Sequence, residues 1–172
     1  MRTLILGGAR SGKSRLAERL AAESGLRVCY FATAQAQDAE MAARIAAHQA
    51  RRPGDWRTVE EPVALGAALR AHAAADRCLV VDCLTLWLTN LLLHPDSAAF
   101  ARERASLLAT LPQLPGRVIL VGNETGMGVV PMGELTRRFC DEAGWLHQEL
   151  AALCDTVLLT VAGLPLTLKG TR

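Results

Sequence analysis

The sequence predicts an α/β fold: a mostly parallel sheet flanked by helices, closed by a C-terminal antiparallel edge strand. Three observations lead there. Apolar runs of strand length alternate along the chain with longer segments of helical period, as when parallel strands are joined by crossover helices. A glycine-rich turn separates the first apolar run from the first helical segment, allowing a strand to reverse sharply into a helix. Near the end, Gly163 and Pro165 break the last apolar stretch and turn the chain back on itself, which makes its final piece an edge.

Taken in order, strands are expected at residues 3–6, 27–32, 78–82, 117–121, 156–162 and, short and antiparallel, 165–169. Helices are expected at 13–23, 39–49, 63–74, 84–93, 98–111 and 133–153, with Gly144 a candidate interruption of the last. The Pro/Gly cluster at 111–116 reads as a loop, and neither repeats nor a low-complexity linker divide the chain. With 172 residues, the expectation is one domain spanning 1–172, since the length suits one ordinary core and not two. In such a sheet ligands gather at the carboxyl ends of the strands, so the residues just after each strand carry the functional reading.

Composition narrows the classes. A net charge of +2 with both signs interspersed lacks the broad basic face of a nucleic-acid binder, so no nucleic-acid partner is expected. The five cysteines are odd in number, scattered and without a C-x-x-C pair, and they read as buried thiols of a reducing compartment. The four-residue apolar run at the N-terminus is too short for a signal peptide, and no apolar stretch reaches the length of a membrane span. A cytoplasmic protein is expected.

The strongest motif is Gly7-Gly8-Ala9-Arg10-Ser11-Gly12-Lys13-Ser14, a complete G-x-x-x-x-G-K-[ST] phosphate-binding loop between the first strand and the first helix. Gly7 and Gly12 let successive backbone N–H groups curl inward around β- and γ-phosphates. Lys13 brings a compact cation to the same oxygens, Ser14 offers its hydroxyl to Mg²⁺, and the helix that follows adds its positive end. This context predicts a nucleoside triphosphate ligand and a P-loop NTPase fold. Cys78-Leu79-Val80-Val81-Asp82 is an apolar strand ending in an acid. Asp82 is either the magnesium-shell carboxylate opposite Ser14 or the cap of the helix that follows. The run 118–121 leads into Gly122-Asn123-Glu124-Thr125-Gly126-Met127-Gly128. Glu124 there either acts on a substrate hydroxyl or metal-bound water, or is a solvated acid on a flexible loop.

Between the second strand and residue 62, helical spacing puts Met41, Arg44, Ile45 and His48 on one face, with Arg51 and Arg52 just beyond. Fixed cations near an imidazole lower its proton affinity and keep it neutral, the nucleophilic form, while drawing in an anionic triphosphate. The competing reading is a solvated histidine at a helix end. Trp87 and Trp145 read as core or interface residues, and His72 and His94 as surface or helix-end residues. The apolar 84–93 segment suggests self-association.

Together these stretches resemble the bifunctional adenosylcobinamide kinase/adenosylcobinamide-phosphate guanylyltransferase family of cobalamin biosynthesis. The resemblance runs nearly end to end: GGARSGKS at 7–14, YFATAQ at 30–35, Glu40-Met41 through Arg44-Ile45, His48 and Arg52-Pro53 to Trp56-Arg57-Thr58-Val59-Glu60, Asp82, Thr89-Asn90-Leu91-Leu92, Asn123-Glu124 through Gly126-Met127-Gly128 to Pro131, and 161–169. It implies that adenosylcobinamide is phosphorylated with ATP or GTP, and that His48 then takes GMP from GTP and passes it to adenosylcobinamide phosphate. It implies His48 and Lys13 as catalytic residues. It implies nucleotide contacts by Gly7, Gly8, Ala9, Arg10, Ser11, Gly12, Lys13 and Ser14, by Ala32, Thr33 and Ala34, by Gln49, Ala50, Arg51 and Arg52, and by Glu60 and Asp82. Mg²⁺ would be held by Ser14 and Asp82. A homo-oligomer, a trimer or a multiple of one, is implied as well. This chain departs from the family's habit at Asp82, where Glu is frequent, at Phe139-Cys140-Asp141, where relatives tend to read Phe-Arg-Asp, and at His147-Gln148, where they tend to read Asn-Gln. Alternatives from other classes are a monofunctional P-loop kinase of another small alcohol and a nucleotide-gated, non-enzymatic assembly protein.

Overall fold

The computed structural model describes residues 1–35, Ala39, Ala43, Ala46, Ala50 and 52–170. Seven strands form a single sheet in the order β3-β2-β4-β5-β1-β6-β7. They are β1 Arg2–Gly7, β2 Arg27–Ala32, β3 Arg57–Glu60, β4 Arg77–Asp82, β5 Arg117–Asn123, β6 Thr156–Val161 and β7 Leu164–Lys169. Every pairing is parallel except β6 with β7, which is antiparallel. The expected edge strand is therefore present, turned by Ala162 and Gly163, both at positive φ.

Helix α1 (Lys13–Ala22) lies on one face of the sheet. On the other face lie α2 (Leu65–His72), α3 (Leu84–Leu92), α4 (Ala99–Thr110, continued by a 3₁₀ turn at Leu111–Gln113) and α5 (Glu134–Leu153). Side chains along a strand alternate between faces, so β1 sends Ile5 to the α1 side with Leu16, Ala17 and Val80, and Leu4 and Leu6 to the other with Trp87, Leu88 and Leu150. Both faces are covered, which is why the central strands read as unbroken apolar runs.

Two expectations need correction. Strand β3 was absent from the sequence reading because three of its four residues are exposed and only Val59 is half-buried. A polar edge strand offers no apolar run to detect. Gly144 does not interrupt α5, which is continuous over 20 residues. Packing by Ala143, Leu146, His147 and Leu150 on its buried face outweighs the ~1 kcal/mol that a mid-helix glycine costs. The inner face of the apolar 84–93 segment is absorbed by the chain's own core through Leu84, Trp87, Leu88 and Leu91, while Leu92 is half-buried and Leu93 exposed. Trp87 is fully buried, and its indole N–H donates to the Val63 carbonyl at 2.8 Å. Trp145, by contrast, is 54% exposed and is no part of the core. The expected 39–49 helix lies largely outside the described residues; within it, Ala39, Ala43 and Ala46 are helical.

The register assembles the functional edge. Ala32 pairs with Asp82, Asp82 with Val121, and Gly7 with Asn123. The carboxyl ends of β2, β4, β5 and β1 therefore stand in a row.

Candidate active site

The loop after β1 is built by close approach. A Cβ at Gly7 would sit 2.5 Å from the Thr160 carbonyl, and Gly12 holds φ 97° with Gly163 Cα 3.1 Å from where its Cβ would be. Neither position takes a side chain without displacing backbone. The loop is pinned on both flanks: Glu124 N–H donates to Gly7 O at 2.9 Å, and Gly163 N–H donates to Ser11 O at 2.8 Å. Arg10, at φ 56°, helps curl the amides inward into an anion-binding concavity.

The Lys13 ammonium donates to Gly8 O at 2.8 Å and to Asn123 Oδ1 at 2.9 Å. That accounts for two of its three donors and leaves one aimed by the other two. Burial lowers the Lys13 pKa, with Cys83 and Asp82 opposing. Asn123 is itself fixed, because its N–H donates to Thr85 Oγ1 at 3.3 Å.

Opposite the loop, the Tyr30 hydroxyl donates to Asp82 Oδ2 at 2.7 Å, and the Arg52 guanidinium lies 3.6 Å from the Tyr30 ring centroid. Burial first, then the Asp82 charge, drive the Tyr30 pKa upward, so the phenol stays a donor. The cap alternative for Asp82 fails: α3 is capped by Cys83 without any side-chain hydrogen bond. Thr33 ties β2 to β4, donating from Oγ1 to Cys83 O at 2.7 Å and accepting from Cys83 N–H at 2.9 Å. Asn90 Nδ2 donates to Thr33 O and Pro62 O, fastening α3 to the same corner.

These elements enclose a cavity of about 830 Å³. Of the residues singled out from the sequence, Ala9 to Ser14, Ala32, Ala34, Arg52 and Asp82 line it. Gly7 and Gly8 shape the loop from behind. Thr33 is buried as a cross-strand tie, and Glu60 is exposed at the end of β3; neither is among the lining residues. Ala50 is exposed and outside the lining. His48, Gln49 and Arg51 lie outside the described residues, as does Arg44. Glu124 turns its carboxylate onto its own loop, accepting from Gly126 N–H at 2.6 Å.

Sequence reasoning left Tyr30, Asn123 and Thr85 without a role, although all three line the cavity. The signal for Asn123 was its place at the end of a strand, and for Tyr30 its place in the 30–35 stretch. The residues fit a magnesium ion. Ser14 and Asp82 present two hard oxygen donors to one cavity, and a small cation that keeps much of its water asks no more of the protein when phosphates complete the shell. Among the described residues no group of three His, Cys, Asp or Glu side chains could hold a metal alone.

A strand, a curled glycine loop with its lysine, a helix N-terminus and a facing strand-end carboxylate define the class: an α/β protein of the P-loop nucleotide-binding kind. Solved structures agree on the fold. The RadB recombinase superposes with TM-score 0.53 at 18% identity, covering 92% of this chain and 73% of its own. A protein of Pyrococcus horikoshii OT3 does so with TM-score 0.53 at 10% identity, covering 99% and 87%. The family is narrower. Residues 3–168 match the profile described as cobinamide kinase / cobinamide phosphate guanyltransferase, and the chain belongs to that family. The "Bifunctional adenosylcobalamin biosynthesis protein CobP" of Pseudomonas aeruginosa is 69% identical over 170 residues, 99% of this chain and 98% of that protein. The Escherichia coli and Salmonella typhimurium proteins called "Bifunctional adenosylcobalamin biosynthesis protein CobU" are each 42% identical over 182 residues, 98% of this chain and 100% of theirs.

Proposed function

We propose that this chain phosphorylates adenosylcobinamide with ATP or GTP, and then transfers GMP from GTP to the phosphate it has made, giving adenosylcobinamide-GDP. The observation that carries the reading is the convergence of the phosphate loop, Lys13, Asp82 and Arg52 on one cavity in a chain of this family. Residues 1–172 act as one domain, the triphosphate lying along Gly7–Ser14 near Ala32, Ala34 and Arg52.

In the kinase step, the terminal hydroxyl oxygen of the substrate's aminopropanol arm attacks the γ-phosphorus. The bond to the β-bridging oxygen breaks, the nucleoside diphosphate leaves, and the hydroxyl proton passes to water. Lys13, held by Gly8 and Asn123, follows the charge that develops on the phosphoryl oxygens. Ser14 and Asp82 are the residues that would hold a magnesium ion, which would supply further neutralisation of that charge. Tyr30 orients the Asp82 carboxylate, and Arg52, held over the Tyr30 ring, offers its guanidinium to phosphate.

In the transferase step, a neutral His48 nitrogen attacks the α-phosphorus and pyrophosphate leaves. An oxygen of adenosylcobinamide phosphate then displaces the imidazole, which departs readily once protonated. Arg44, Arg51 and Arg52 are the cations available for this transfer. Nucleoside triphosphate substrates and five free thiols suit the cytoplasm. The protein self-associates, in a trimer or a multiple of one, through the outer strand β7, where Leu164, Leu166 and Leu168 are 73%, 58% and 56% exposed on one face.

Purified protein given adenosylcobinamide, Mg²⁺ and GTP should yield first the phosphate and then the GDP derivative with release of pyrophosphate. Formation of neither product would overturn the reading. Phosphate without the GDP derivative would reduce it to a kinase.

A further inference from the structure

Next to the nucleotide cavity lies an apolar surface that no other described residue covers. A groove of about 210 Å³ is lined by Thr89, Leu92, Leu93, Leu135, Thr136 and Phe139, and two of these, Thr89 and Phe139, also line the nucleotide cavity. The two spaces thus share part of one wall. The segment leading into α5, the helix that supplies Leu135, Thr136 and Phe139 to the groove, carries Met127, Val129, Val130 and Met132, which are 76%, 97%, 72% and 96% exposed. Apolar side chains grouped in this way on a protein surface mark a place where something docks. Side chains of α5 reach this segment: the Arg137 guanidinium donates to the Pro131 carbonyl at 3.3 Å and to that of Met132, and Cys140 Sγ lies 3.8 Å from Thr125 O.

We propose that this groove and the Met127–Met132 ledge bind the macrocycle of the corrinoid substrate, in a proposal that rests on the kinase reading above. The reasoning is geometric. A cavity of about 830 Å³ is on the scale of one drug-sized ligand, and a triphosphate nucleotide meets that description. A corrin ring is larger than the nucleotide and cannot share the space. Only its flexible aminopropanol arm enters, carrying the hydroxyl to the γ-phosphate, so the ring must rest on whatever surface continues from the mouth. Among the described residues, the groove is the apolar surface that shares a wall with the cavity. Its character suits a corrin, whose ring edge carries methyl groups and whose rim carries amides. The aliphatic side chains of Leu93 and Leu135 meet the former, and the hydroxyls of Thr89 and Thr136 are within the same lining for the latter.

The test uses the full chain with Leu93→Asp and Leu135→Asp, both at positions more than half exposed, and Leu135→Gln as a milder second variant. Nucleotide affinity and sedimentation are measured alongside kinase kinetics with adenosylcobinamide. The expected result is a KM for adenosylcobinamide raised about tenfold or more, as for lost apolar contacts of this size, with nucleotide affinity and sedimentation unchanged. An unchanged corrinoid KM in variants that bind nucleotide normally would overturn the proposal. So would a change in sedimentation, which would make the face a contact between copies of this chain. Absence of any adenosylcobinamide turnover by the wild type would instead remove the kinase reading, and this proposal with it.

Discussion

Replacing Asn123 by alanine probes the link between the phosphate loop and the chemistry. The Asn123 amide accepts from Lys13 Nζ at 2.9 Å, and the only other acceptor found for that ammonium among the described residues is Gly8 O at 2.8 Å. A hydrogen bond to a charged group contributes about 1.5–3 kcal/mol. If Asn123 holds Lys13 on course as charge builds on the phosphoryl group, removing it raises the barrier by that amount. Since 1.36 kcal/mol is tenfold in rate, kcat for adenosylcobinamide phosphorylation should fall about 10- to 150-fold. Asn123→Asp keeps an acceptor but adds a negative charge beside the phosphates, so it should raise the KM for ATP and GTP where alanine changes it little. Both are read by steady-state kinetics with nucleotide varied at saturating corrinoid. A kcat for Asn123→Ala within about twofold of wild type would refute the reasoning, because a loss that small lies below the energy of one charged hydrogen bond.

Other perturbations follow from the same geometry. Gly7→Ala would drive a Cβ to 2.5 Å from the Thr160 carbonyl, so nucleotide affinity measured by calorimetry should collapse; wild-type affinity would contradict the reading of the loop. Trp87→Ala empties a fully buried site and strands the Val63 carbonyl, and should cost about 3–5 kcal/mol in denaturant unfolding; a loss below about 1 kcal/mol would show that the core collapses around it. His147 is buried against Gly122, and burial lowers its pKa, with the Glu124 charge opposing. Because the folded state holds this imidazole neutral, its contribution is full above the unfolded pKa, about 6.5, and declines as pH falls from there through the lower folded value. His147→Asn should therefore flatten the fall in stability between neutral and mildly acidic pH, and parallel stability curves for the two proteins would refute it.

Much of this molecule could be read from its sequence because the informative signals are local. Gly7 to Ser14 are contiguous, and the strand before and helix after them are set by their own apolar and helical periods, so both motif and context stand in one stretch. Asp82 was legible for the same reason, as the acid ending an apolar run, yet its alternative role as a cap could be dismissed only when Cys83 was found in that position. The cluster of Asp82, Tyr30 and Arg52 is a different matter. Its members come from β4, β2 and the approach to β3, and only the parallel register of Ala32 with Asp82 brings them together. The same holds for Lys13 and Asn123, 110 residues apart. Strand β3 escaped notice because its partner and position, rather than its composition, make it a strand. Trp145 resembled Trp87 in the sequence; which face of its helix meets the sheet decided that one is core and the other is exposed.

The central claim is that one imidazole, His48, carries the guanylyl group between GTP and the corrinoid phosphate. Wild type and His48→Ala, each incubated with GTP labelled at the α-phosphate and then assayed for adenosylcobinamide phosphorylation, test it directly. The account predicts an acid-labile, base-stable label on the wild type alone, with kinase activity retained by both. Label persisting on His48→Ala, or none on a wild type that still makes the GDP derivative, would contradict it.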